Sequence, residues 1–228
     1  VNNLSVPLDN FISRSPEAFL TLQNGGIVQM VVSIIRDALV SEHATESFQE
    51  GDAHGAPRLI ESMMHACPGR IDPVVPDLMQ YVLMRLDTAE TRGYKILLYS
   101  ALSSSIHYNP VLALQVLEHR QATTQVLTSW ANHLSTTEKL RRHDFKIGLL
   151  AASALLSLPN ASAPAMVASN RLHLLRLGLT VHKRLAVLRE QKAAEDEDED
   201  EDEEGDDDDD DDELGDELDD DEEGGKEL

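Results

Sequence analysis

The chain has 228 residues and a formal net charge of −23 at pH 7. The charge is concentrated at one end: 26 of the 42 Asp and Glu residues, and one of the 19 Lys and Arg, fall between residues 195 and 228, leaving 16 acids against 18 bases in the first 194. A segment of one sign repels nucleic acid and attracts basic protein, so the balance argues against a nucleic-acid partner and for a basic protein one.

From the amino end, apolar residues recur with the helical spacing i, i+3, i+4, i+7 almost everywhere, and nowhere with the two-residue alternation of a strand. Ile27, Val28, Val31, Val32, Ile35, Ala38 and Leu39 form a first stripe, on a helix expected over 25–40. The polar, aperiodic stretch 41–54 reads as an exposed loop. Leu59, Ile60, Met63, Met64 and Cys67 mark a helix over 56–67, which Pro68-Gly69 ends. Asp72-Pro73 reads as an N-cap followed by a proline at the first helical position. It opens a helix over 73–87 with Val74, Val75, Leu78, Met79, Val82, Leu83 and Leu86 on one face. After a short turn at Thr88, Tyr94, Leu97, Leu98, Ala101 and Leu102 place a partner helix over 89–106. Asn109-Pro110 repeats the cap device before a long helix over 110–134. A further helix over 138–157 carries Ile147, Leu150, Ala151, Ala154 and Leu155, with Leu158 beyond it.

The last helix is expected at about 162–190, with Leu172, Leu175, Leu179 and Leu188 on its core side. The helices pair as hairpins over about 25–67, 73–106 and 110–157, with a loose period of about 40 residues that suits stacked repeats. The fold class is therefore all-α: a helical-repeat solenoid fragment over 1–194, followed by an acidic tail over 195–228. The tail holds too few apolar groups to offset its ordering entropy and is expected to be disordered.

The residues nominate no enzyme chemistry. His54, His65, His107, His119, His133 and His143 are not paired at metal-ligand spacing and read as helix-edge histidines. No nucleophile elbow is present, and Asn24-Gly25-Gly26 lacks the Lys-Ser/Thr of a phosphate loop. Asp200, Asp202, Glu204, Gly205 and Asp211 approximate a calcium loop, but with the wrong residues at its fifth and twelfth positions and no flanking helix pair. No metal or other cofactor is expected. A single Cys67 leaves no internal disulfide and suits a reducing compartment. No secretory leader, and no apolar run near the roughly 20 residues that span a bilayer, is expected.

Two basic clusters precede the tail: Lys139, Arg141, Arg142 and Lys146, and then Arg171, Arg176, Lys183, Arg184, Arg189 and Lys192. They read either as solvated helix faces or as a dock for the tail itself. The tail is the candidate basic-protein site: Glu195, Asp196, Glu197, Asp198, Asp200, Asp202, Asp206, Asp207, Asp208, Asp209, Asp210, Asp211 and Asp212. Many weak charge contacts can hold a Lys/Arg-rich partner without a folded interface.

The stretch IDPVVPDLMQYVLMRLDTAETRGYKILLYSALSSSI resembles a HEAT repeat, with a Pro-led first helix, Asp87 near its end and Arg92 just inside the second helix. The order of Tyr108-Asn109-Pro110, Trp130, Lys146, Gly148 and Leu149, then the acid run, resembles the C-terminal part of importin-β superfamily receptors. The closest match is the branch of importin seven and importin eight. The resemblance implies a transport receptor for basic cargo such as ribosomal proteins and histones, shuttling between nucleus and cytoplasm through the nuclear envelope. It implies binding of the GTPase Ran by repeats that precede this stretch, and nucleoporin contacts for the full receptor. Those receptors are several times longer, so the sequence is expected to be a fragment that stops within their acidic segment. An acidic chaperone that shields basic proteins without ferrying them is the alternative expectation.

Overall fold

The computed structural model describes residues 2–40, 50–160 and 163–203. Every regular element among them is helical: α1 (Asn2–Arg14), α2 (Pro16–Thr21), α3 (Gly26–Val40), α4 (Glu50–Ala53), α5 (Gly55–Ala66), α6 (Val75–Thr88), α7 (Arg92–Tyr108), α8 (Pro110–His119), α9 (Thr123–Thr136), α10 (Arg142–Leu156), α11 (Ala165–Ser169) and α12 (Arg171–Glu203), with 3₁₀ turns at Leu22–Gly25 and Asp72–Val74. Two units separate by compactness, one through Leu188 and one from Arg189.

In the first unit the helices stack in two layers. One layer runs α1, α5, α7, α10, each packed on the next; the other runs α3, α6, α8. The rungs between the layers are α3 on α5, α6 on α7, and α8 on α7. This is the all-α repeat stack expected from the stripes. It follows from their geometry: a helix with one apolar face needs a single partner, whereas one with apolar residues all round needs neighbours on several sides. Helix α7 has neighbours on several sides and buries Leu98, Ala101, Leu102 and even Ser103, Ser104 and Ser105 at 1% exposure or less. Val82 on α6 is also fully buried.

Several local expectations are corrected. The long helix over 110–134 is two helices. Gln121 takes φ 55°, its N–H donates to Glu118 O at 2.8 Å, and the Ala122 N–H donates to Leu117 O at 2.9 Å. That is a Schellman stop built on glutamine, so no glycine announced it. Asn109 does cap α8, its Oδ1 accepting from the Leu112 N–H at 3.1 Å. Asp72 does not cap: it stands in a 3₁₀ turn, and its carboxylate accepts the Tyr108 hydroxyl at 2.7 Å. Burial, reinforced by that bond, pushes the Tyr108 phenol up to about 12.

The loop expected at 41–54 is structured at its end. Glu50 accepts from the Glu90 and Thr91 N–H groups at 2.6 and 2.8 Å, placing a carboxylate at the positive end of α7. His54 stacks on Tyr94 with ring centroids 5.5 Å apart. Residues 41–49 lie outside the described residues.

The segment Pro16–Val40 is long and apolar enough to cross a membrane by length and composition, contrary to the reading that no run approached that size. Its backbone, however, breaks at Gln23 and Asn24, both at φ 54°, and at Gly25, at φ 84°. The continuous helix that remains, Gly26–Val40, has 15 residues. At about 1.5 Å per residue it falls short of a roughly 30 Å hydrocarbon core. It also buries Val31, Ile35, Ala38 and Leu39 against the rest of the stack.

The last helix is the largest departure. The side facing the core is Leu174, Leu177, Val181 and Leu185, while Leu172, Leu175 and Leu179 are 57%, 49% and 55% exposed. Leu150 on α10 is likewise exposed, at 46%. The helix runs to Glu203, past the point where the acidic tail was expected to lose order; residues 204–228 lie outside the described residues.

Candidate protein-binding surface

The acidic candidates fall into two sets. Glu195, Asp196, Glu197, Asp198, Asp200 and Asp202 lie on the backbone of α12, whereas Asp206 through Asp212 lie outside the described residues.

The basic clusters are partly used up inside the first unit. Arg184 reaches back to the end of α9, where Nη1 donates to Leu134 O and Ser135 O at 2.9 Å each, and Nη2 to Thr137 O at 2.7 Å. Its guanidinium also lies over the Phe145 ring, 4.8 Å from the centroid. Arg171 does the same at the end of α10, donating to Leu156 O at 3.3 Å and to Leu158 O. Both side chains satisfy carbonyls that a helix end leaves without partners, and put positive charge where the helix dipole is negative. Arg141 is committed as well: its Nη2 donates to Asp144 Oδ1 at 2.9 Å and its backbone N–H to Asp144 Oδ2 at 2.8 Å. That carboxylate also accepts from Ser100 Oγ on α7 at 2.9 Å, and Arg141, through its side chain and its backbone N–H, together with Ser100 holds it below the usual range against the opposing effect of burial. Arg176, Lys183 and Arg189 remain exposed.

Of the HEAT-like pair, Asp87 stands 4.0 Å from Arg120, and Arg92 donates to the Glu138 carbonyl. Trp130 is fully buried and donates from Nε1 to Ser103 Oγ at 2.8 Å, which ties α9 to α7. Gly148 is where α10 passes closest to Leu134, and a Cβ there would stand 2.7 Å from a leucine methyl. Of the residues behind the resemblance, Lys146 and Asp87 are exposed, while Trp130 and Gly148 sit where helices meet. Next to them two apolar concavities open, neither visible in the linear sequence. A groove of about 450 Å³ has Leu127, Ala131, Met166, Leu174 and Leu177 in its wall and His173 and Arg176 at its rim. A shallower one runs along Leu149, Leu156, Leu175 and Leu179. Among the described residues no group of three His, Cys, Asp or Glu side chains is placed to hold a metal.

The chain is 32% identical over 172 residues to an importin beta-like SAD2 homolog of Arabidopsis thaliana, covering 72% of this chain and 16% of that protein. The chain belongs to the importin-β superfamily. It is also 27% identical over 157 residues to a probable importin-7 homolog of Dictyostelium discoideum, covering 67% of this chain and 14% of that one. The importin-type chain therefore spans about one sixth of the length of the curated relatives it matches. No family model and no solved structure matches it.

Proposed function

We propose that this chain is part of a nuclear import receptor whose acidic segment helps hold basic protein cargo, with ribosomal proteins and histones as the cargo classes. Similarity to two importin-type proteins carries the reading, and the 26 carboxylates after residue 194 supply the attraction for such cargo. In the full receptor, Ran is bound by repeats outside this stretch, nucleoporins contact the repeat array, and the protein shuttles between cytoplasm and nucleus across the nuclear envelope. The chain's own role is binding rather than catalysis.

The test is a salt titration of affinity for a basic ribosomal protein or a histone, with the whole chain and with residues 195–228 removed. The whole chain binds more tightly at low salt. The difference vanishes near 0.5 M, where the Debye length falls to about 4 Å. Scrambling the order of Asp and Glu changes little, because charge density rather than sequence is read. Equal affinities at low salt would end the cargo-holding role. A protein that shields basic partners without carrying them is distinguished by a longer chain that fails to release cargo to Ran-GTP.

A further inference from the structure

Glu61 lies in the middle of α5 and is 7% exposed. Its Oε2 is 2.6 Å from Nε2 of His143, the second residue of α10 and 82 positions further along. Helices α5 and α10 each pack along α7 and share no packed seam with each other. The contact therefore bridges two members of the layer that are not neighbours, across the helix between them. The other charged or titratable groups at this bridge come from all three helices. His65 on α5 stands edge to face with the His143 ring, centroids 6.3 Å apart. His107 on α7 acts electrostatically on His65. Asp144 and Arg141 flank His143 on its own helix and the turn before it.

We propose that the Glu61–His143 bridge is a proton-operated clasp, holding α5 and α10 together across α7 while His143 is protonated and releasing them when it is not. The asymmetry comes from burial. Glu61 is removed from water, and a buried carboxylate is tolerated when it is paired with a charge and hydrogen-bonded. An imidazolium supplies both in one short charge-assisted bond. A neutral imidazole can still donate one hydrogen bond to the carboxylate but no longer carries the opposing charge. The buried Glu61 then loses its ion pair, and the tie to α10, where the His143 side chain is 51% exposed, weakens.

The hydrogen bond from Glu61 raises the proton affinity of His143 above the ordinary histidine value, and burial lowers that of His65. A group whose folded-state pKa is raised stabilises below its unfolded value and loses that contribution as pH rises through the folded one. The clasp is therefore closed on the acid side of the His143 titration. At lower pH still, protonation of His65 brings a second imidazolium beside the first and opposes closure.

Spin labels on the full chain at Arg58→Cys in α5 and Lys146→Cys in α10 read the gap directly. Both positions are exposed, and the native Cys67 is fully buried and stays unlabelled. Distances are measured at pH 6.0 and pH 8.5, a span in which ordinary carboxylates stay ionised and the acidic segment keeps its charge. The expected result is one narrow distribution at pH 6.0 that lengthens and broadens at pH 8.5. Glu61→Gln is expected to give the broad distribution at both pH values and to move the imidazole titration of His143, followed by NMR, back toward about 6.5. Identical wild-type distributions at the two pH values would overturn the clasp, and that measurement needs no variant at Glu61 or His143 to fold. A His143 titration unmoved by Glu61→Gln would overturn it as well.

Discussion

Helices α7 and α12 are both rich in leucine and both belong to the repeat stack, yet they treat their apolar residues differently. Between α5, α10, α6 and α8, helix α7 buries Leu97, Leu98, Ala101, Leu102 and four serines. Up to Leu188, α12 buries a single stripe and leaves Leu172, Leu175 and Leu179 about half exposed. The number of neighbours a helix has, rather than its composition, decides how much of it is core. A residue of the same type therefore has a different energetic weight in the two places.

The sharpest way to break the comparison is to make the same truncation in each. Leu98→Ala should cost roughly 2–5 kcal/mol in denaturant unfolding, as expected for a fully buried leucine. Leu172→Ala should stay within about 0.5 kcal/mol, as for an ordinary surface change. Similar costs at the two sites would show that the exposed stripe is packed in solution.

A polar contrast comes next. Arg184→Ala removes four contacts with the end of α9 and the Phe145 ring, while Arg176→Ala removes none with a helix end. The first should destabilise by about 1.5–3 kcal/mol, the range for hydrogen bonds to charged groups, and the second should be close to neutral. Arg184→Lys should recover only part of the loss, because an ammonium cannot span three carbonyls and stack on a ring.

Glycines sharpen the contrast by changing its sign. Gly148→Ala on α10 drives a methyl into Leu134 and should cost about 1–3 kcal/mol, as overpacking does. Gly178→Ala on α12 meets only Leu149 at 3.7 Å and should stabilise by up to about 1 kcal/mol through helix propensity. Thermal melts in opposite directions would confirm that one helix is enclosed at this point and the other is not.

A last contrast is in pH. His133, stacked on Tyr99 with centroids 4.2 Å apart, is pulled down to about 4 chiefly by burial. A depressed histidine folds best neutral, so its contribution is full above pH 6.5 and is lost as pH falls toward 4. His133→Gln should flatten that part of the stability profile while leaving the alkaline side unchanged.

What the sequence showed follows from what periodicity can carry. The stripes on α3, α5, α6 and α7 were legible because each has one dominant apolar phase, and Asn109 was legible because its cap is local. The stop at Gln121 was not, since the signal for a left-handed residue is glycine or asparagine and here the backbone bonds of Glu118 and Leu117 do the work. The core side of α12 was misassigned because Leu172, Leu175 and Leu179 have the same helical spacing as Leu174, Leu177, Val181 and Leu185, and spacing alone cannot rank two such phases. The arginine contacts join residues 13–50 positions apart and leave no trace in local pattern. Of the candidate site, the sequence gives the charge of the acidic residues, and their side chains lie beyond the structural description.

The arginines of α12 also decide where the chain can be cut. Trypsin must draw an arginine side chain out into its own specificity pocket, together with several residues of extended backbone on either side. Arg184 can enter only after leaving Leu134, Ser135, Thr137 and Phe145, and Arg171 only after leaving Leu156 and Leu158. Arg189 has an exposed side chain. Mild digestion should therefore cut after Arg189 well before it cuts after Arg184 or Arg171, because each of those two cuts first requires a helix end to come undone.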